Sequence, residues 1–329
     1  MIAAASGALV AAQASTPSAQ TPPPQAEPAE EPVERAIDRV HLRDDGRDRL
    51  TIPVRVDGEG PYQFLIDTGS QGTILSDRVV ATLGKRPSGT VTVVSTASRA
   101  EVDTVRVSSL EFARRSVDRI TAPVLQYDHL GVDGILGLDA LQDLRVLIDF
   151  RAGTMDVEDV AESPDAATPA NPSGYEIVVR ARRLKGQMVI TDALIDGVEA
   201  AVVIDTGAQS SIGNLALLES LRAREREMVE GTDVLGSRYQ GRVAYMEEML
   251  LGRLRLGELA IAFVDGPAFA ELGYGDRPAL LLGIGNLRRL DRLAIDFHTS
   301  EVLFDLPANL ERKGSVVRKR RASRLQDGT

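Results

Sequence analysis

Residues 64–76 read FLIDTGSQGTILS, and residues 201–213 read AVVIDTGAQSSIG. In each, an apolar, β-favouring run ends on an aspartate, a threonine and a glycine. A carboxylate closing a run that wants to be buried is unfavourable unless it has partners or a task. One Asp-Thr-Gly by itself reads as an Asx-type turn after a strand. Two of them, at Asp67 and Asp205, raise the question whether the flanking sequence repeats as well.

It does. LTIPVRV (50–56), a turn at Asp57-Gly58 and YQFLID (62–67) are answered by MVITDALI (188–195), a turn at Asp196-Gly197 and EAAVVID (199–205). Both read as β-hairpins that feed the Asp-Thr-Gly loop. Short helical patterns follow, SDRVVATL (76–83) and NLALLESL (214–221), and then further β-rich segments. Each copy closes on an apolar-apolar-Gly element and an "IDF" strand: GILGLDALQDLRVLIDF ending at Phe150, and LLLGIGNLRRLDRLAIDF ending at Phe297. The aspartates are 138 residues apart and the closing phenylalanines 147, so the copies keep register, with about nine extra residues in the second. The expected fold is all-β and bilobal, with short helices.

Composition narrows the chemistry. The chain has 329 residues, 43% apolar and 26% charged, which suits a packed core; aromatics are 4% and Trp is absent, so that core is aliphatic. A net charge of −10 argues against a nucleic-acid partner. The absence of Cys removes disulfides, thiol catalysis and thiolate metal sites. His41, His129 and His298 are too scattered to hold a metal, and no run reaches the length of an integral membrane span.

The segmentation follows composition. Residues 1–14, Ala-rich and ending in the small-x-small triplet Ala12-Gln13-Ala14, read as an export signal that would place the protein in the periplasm or outside the cell; the alternative, since no positive residue precedes the short apolar run, is an Ala-rich disordered end. Residues 15–45 read as a disordered Pro/Ala/Glu-rich linker, and 160–174 (VAESPDAATPANPSG) as a second linker. Between and after them stand an N-terminal lobe (46–159) and a C-terminal lobe (175–308), with a basic disordered tail at 309–329.

Two carboxylates on matched loops can meet between lobes. Close like charges cannot both ionise freely, so such a pair shares one proton. It can deprotonate a water while protonating the carbonyl that the water attacks. Gly69 and Gly207 permit tight turns and offer amides to the acids. Thr68 and Thr206 can bond the opposite loop. Ser70 can donate to the nearer carboxylate where Ala208 cannot, which would make the two surroundings unequal. Asp149 and Asp296, in the "IDF" strands, read as turn residues because a hairpin follows each.

The paired IDTGS and IDTGA, with Ile135-Leu136-Gly137 and Leu281-Leu282-Gly283, resemble the signatures of the aspartic proteases. Each half is most similar to the retropepsin-like (retroviral-type) members, and the tandem arrangement is similar to the single-chain, pepsin-like enzymes. The resemblance covers roughly residues 50–306 outside the linker. It implies an acid-protease fold of two retropepsin-like β-barrel lobes, Asp67 and Asp205 as the catalytic pair, Thr68 and Thr206 as interlocking hydroxyls, and the apolar-apolar-Gly elements as supports beneath the loops. It implies a peptide hydrolase (an aspartic-type endopeptidase) acting on an extended polypeptide, with no cofactor and no metal. It also implies β-hairpin flaps, with tips near Ser95 to Arg99 and Leu235 to Tyr239. The alternatives are a non-catalytic peptide-binding module on the same fold and, in place of a self-contained monomer, a dimer in which each lobe pairs with another chain.

Overall fold

The computed structural model describes residues 38–44, 49–159, 175, 177–221 and 227–307. The expected signal segment (1–14), the mid-chain linker (160–174) and the basic tail (309–329) lie outside the described residues, as does most of the stretch 15–45.

The two Asp-Gly turns behave as their sequence demands. Asp57 and Gly58 have φ of +52° and +80°, and Asp196 and Gly197 +45° and +82°, the left-handed pair that a tight hairpin needs. Each aspartate also accepts backbone amides from a distant strand: Asp57 from Ser108 (2.7 Å) and Ser109 (3.0 Å), Asp196 from Glu247 (3.3 Å) and Glu248 (2.8 Å). The turn residue thus pins its hairpin against the strand that closes the barrel.

In the first half, Leu50–Val56 pairs with Glu59–Ile66, which runs parallel to Gly134–Leu136. That strand is antiparallel to Ile74–Ser76, which lies parallel to Arg115–Leu125. Arg115–Leu125 pairs with Arg99–Phe112, and Arg99–Phe112 closes the ring on Leu50–Val56 through Arg55↔Glu111 and Val56↔Leu110. The second half repeats the circuit with Gln187–Ile195, Val198–Asp205, Ala279–Gly283, Ser211–Gly213, Leu254–Phe263 and Arg238–Leu251, closing through Leu194↔Leu250 and Ile195↔Met249. Both halves are therefore closed six-stranded barrels within eight-stranded sheets of the same order. The fold is all-β with a few short helices.

A third, six-stranded sheet joins the halves, in the order Asp38–His41, Thr154–Asp159, Leu144–Asp149, Arg292–Asp296, Glu301–Asp305, Ile177–Arg180. Its centre is the pairing of the two "IDF" strands, Arg145↔Asp296 and Asp149↔Arg292. Asp149 Oδ1 caps its turn by accepting from Arg151 (2.9 Å) and Ala152 (2.7 Å), and Asp296 Oδ1 does the same for His298 (3.0 Å) and Thr299 (2.9 Å). Asp296 is also buried, and its Oδ2 receives Arg145, which reaches Glu158 as well.

Within the stretch expected to be a disordered linker up to residue 45, Asp38–His41 and Arg43–Asp44 are strands. Val40 packs on the main core, Arg39 forms a two-pronged pair with Asp156, and Asp38 meets Arg114. An apolar residue next to two charge pairs can be pinned to an existing edge even beside a Pro-rich sequence.

Candidate active site

The acid-bearing strands explain their unbroken apolar runs. Side chains alternate across a strand. Phe64 and Ile66, like Val202 and Ile204, point into the main core, whereas Leu65 and Val203 lie on the opposite face in separate buried clusters. Both faces are covered, so both must be apolar. Asp67 and Asp205 stand two residues beyond Leu65 and Val203 and share their face.

The loops then interlock. Thr68 Oγ1 donates to the Ile204 carbonyl (2.8 Å), and Thr206 Oγ1 donates to the Ile66 carbonyl (2.8 Å). The Thr68 amide donates to Thr206 Oγ1 (3.1 Å), and the Thr206 amide to Thr68 Oγ1 (3.3 Å). Both threonines are buried, so each hydroxyl satisfies a carbonyl that water does not reach. Asp67 Oδ1 accepts from Gly69 (2.8 Å) and Ser70 (3.0 Å), and Asp205 Oδ1 from Gly207 (3.1 Å) and Ala208 (3.0 Å).

The acids face each other across this lock. A Cβ on Gly69 would fall 2.7 Å from Asp205 Cγ, and one on Gly207 would overlap the Asp67 carboxylate. Glycine is required in both loops because the opposite acid occupies the space of a side chain. Beneath them, the Asp67 amide donates to the Leu136 carbonyl (3.1 Å), and the strand pairs Ile66↔Leu136 and Asp205↔Gly283 seat each loop on its apolar-apolar-Gly element. Leu138 and Ile284, which follow Gly137 and Gly283, donate to the Ser70 and Ala208 carbonyls (2.9 and 2.8 Å). Leu136 and Leu282 fill the main core, while Ile135 and Leu281 face the clusters of Leu65 and Val203.

Burial pushes both carboxyls above the usual carboxylate range. Asp205 is lifted by desolvation and then by the charge of Asp67, up to about 8. Asp67 is raised too. Its burial is opposed by the Gly69 and Ser70 amides, by the hydrogen bond from Asp205 and by the positive charge of Arg49. Two such close carboxyls favour a single proton shared by the pair.

The inequality does not arise where the sequence suggested. Ser70 Oγ donates to the Gly72 carbonyl (2.8 Å), and only the Ser70 amide reaches Asp67, as the Ala208 amide reaches Asp205. With two backbone donors already on Asp67 Oδ1, the hydroxyl serves its own turn instead. One difference between the acids is Arg49, buried and bonded through Nη2 to the Leu130 carbonyl (2.8 Å), whose positive charge bears on Asp67. Gln187 is a second residue that the sequence reading missed; its side-chain amide donates to the Gly69 carbonyl from the other half. Neither position carries a motif. A signal exists only in pairing: Thr51 stands opposite Leu65 and Val189 opposite Val203, so Arg49 and Gln187 hold equivalent places.

Both expected flaps are hairpins; the first tip is one residue shorter than expected, and the second has the expected length but lies two residues earlier. Gly89–Val94 and Arg99–Phe112 flank a tip at 95–98, and Glu227–Thr232 and Arg238–Leu251 flank a tip at 233–237. Ser95 and Leu235 are in the tips. Arg99 is exposed at the start of its return strand, paired with Val94. Tyr239 is likewise on a return strand, opposite Gly231, half-buried against the cluster of Val203.

Two closed barrels with an acid pair at the contact of two Asp-Thr-Gly loops define a class: an all-β fold with one carboxylate site at the junction of its halves. Residues 52–140 match the family model described as "Aspartyl protease". That segment holds Asp67, Thr68, Gly69 and Ile135-Leu136-Gly137. No curated protein matches the chain. No helix among the described residues is long and apolar enough to cross a membrane.

Proposed function

We propose that the protein is an aspartic endopeptidase in which Asp67 and Asp205 act as one acid–base pair on a water held between them. Asp67, ionised, takes the proton of the water; Asp205, protonated, donates to the carbonyl oxygen under attack. No covalent intermediate forms. The observation that carries this reading is the reciprocal lock of Thr68 and Thr206, which brings the two acids together within one chain. A duplicated chain that supplies both acids needs no second copy to complete its site, which favours a monomer. The aspartyl-protease match over the first half supports the reaction class, and the absence of a thiol throughout is consistent with a water nucleophile.

The test is cleavage of an unfolded polypeptide between pH 3 and 9, with and without pepstatin, followed by mass spectrometry of the products. The expected profile is a bell. Its alkaline limb falls where Asp205 loses the shared proton, above the usual carboxylate range because that carboxyl is raised. Its acidic limb falls where the pair takes up a second proton, on Asp67. Asp67→Asn and Asp205→Asn should each remove at least a thousandfold of kcat, on the order of the loss when a group in a concerted unit is deleted. Normal cleavage by either variant would refute the shared pair, and binding without cleavage by the wild-type chain would establish the peptide-binding alternative.

A further inference from the structure

The two hairpin tips do not rest on their own barrels. Val234 and Leu235, from the second half, pack on the cluster of Leu65, Ile74, Leu130 and Ile135 in the first. Ala97, from the first half, packs on the cluster of Val203, Val264, Phe269 and Leu281 in the second. Those clusters lie on the faces that carry Asp67 and Asp205, so each tip covers the acid-bearing strand of the opposite half. The approach is close on both sides. Gly236 lies against the His129 ring, and a Cβ on Gly266 would overlap the Thr96 carbonyl.

Where the tips meet, they are tied by polar groups. Asp233 Oδ2 accepts from Ser98 Oγ (2.6 Å) and from Ser95 Oγ across the gap, while Asp233 Oδ1 accepts from the Leu235 (3.0 Å) and Ser237 (2.9 Å) amides of its own turn. Asp233 is 7% exposed. A carboxylate so enclosed needs its acceptors filled, and one of its two oxygens is filled entirely by the other hairpin. The division of labour is clean: Oδ1 shapes the turn, and Oδ2 joins the tips.

We propose that Asp233, Ser95 and Ser98 form a latch that holds the two hairpins shut over the acid pair, so that polypeptide enters only when the latch opens. The inference rests on the acid pair being the site that substrate must reach. A resting closed state lowers the apparent affinity for a long chain by the fraction of molecules that are open. The latch would then act as a gate on access, favouring flexible, unfolded segments that can wait for an opening over folded surfaces that cannot thread beneath the tips.

The experiment exploits the lack of cysteine. Thr92→Cys and Thr232→Cys, both exposed on the hairpin strands, take a pair of nitroxide labels, and dipolar spectroscopy reads the distance between hairpins without any need for activity. The parent should give one narrow, short distribution. Ser95→Ala with Ser98→Ala leaves the Oδ1 bonds of Asp233 intact and should move the ratio of closed to open about tenfold toward open, the size of one hydrogen bond to a charged group. Gly266→Ala, a position with φ of −155° that any residue adopts, should open the hairpins by displacing the tip at Thr96. Unchanged distances in both variants would overturn the latch. Opening by Gly266→Ala with no change in the serine variant would also overturn it, since the tips would then be held by apolar packing. Cleavage is the second readout: kcat/KM for an unfolded polypeptide should rise up to tenfold in the serine variant, with kcat unchanged. Because distance is measured independently, failure of the latch and failure of the peptidase reading give different results.

Discussion

The two Asp-Thr-Gly loops are near copies in space, and the two hairpin tips are not. Each loop donates two amides to its own acid, sends a threonine hydroxyl to the other strand and leaves a glycine where the opposite carboxylate sits. Each loop is the other's binding partner, so a change in one is felt by both. The tips, by contrast, present two serines on one side and an aspartate on the other. In a chain that carries both halves, complementary pieces can be placed one on each side. Symmetry persists where the halves cradle each other and lapses where one half has only to fit the other.

The joining sheet offers the sharpest way to break this comparison. Arg145 and Arg292 occupy matching places, each on an "IDF" strand, paired respectively with Glu158 and Asp305. Arg145 is buried and also carries the buried Asp296, whereas the Arg292 side chain is a third exposed and lies over the Tyr175 ring at 4.6 Å. Arg145→Ala should cost about 3–5 kcal/mol, because it strands an enclosed carboxylate. Arg292→Ala should cost about 1 kcal/mol, since solvent screens its pair. Urea unfolding of the two variants decides the point, and equal losses would mean that burial does not distinguish these sites.

The threonines test the symmetric side. Thr68→Ala and Thr206→Ala each remove the hydroxyl that bonds a buried carbonyl and the opposite threonine's amide, and each should cost about 1–3 kcal/mol. The two losses should agree within about 0.5 kcal/mol if the lock is reciprocal, as read by the same unfolding curves. A large loss at one and none at the other would show that a single loop carries the contact.

Much of this was legible in the sequence. The repeat around Asp67 and Asp205, the Asp-Gly turns and the terminal turns at Asp149 and Asp296 are local, and local chemistry writes itself into short patterns. What was not legible is what depends on pairing between distant strands. The "IDF" strands announced their own hairpins but not that they would join each other in one sheet. Asp233 drew no reading from the sequence, which placed the second tip at Leu235 to Tyr239; nothing nearby told of the serines 135 and 138 residues away. Ser70 was misjudged because its hydroxyl had an acceptor closer to home, at Gly72.

A smaller effect refines the account of the acids themselves. Arg49→Gln would give the first half the residue type that Gln187 gives the second. Removing that positive charge takes away one of the influences that hold Asp67 down, so its carboxyl should protonate at higher pH. The acidic limb of the activity profile should then move upward while the alkaline limb stays in place. A shift of the alkaline limb alone would assign the charge of Arg49 to Asp205 instead.

The central claim is that the carboxyls of Asp67 and Asp205 share one proton. Carbon-13 NMR of the side-chain carboxyls, titrated from pH 2 to 10 and assigned with Asp67→Asn and Asp205→Asn, measures this directly. The account predicts two coupled steps seen by both carbons, the upper one far above the ordinary carboxylate range, collapsing to one step in either variant. Two independent titrations near the ordinary aspartate value would contradict it.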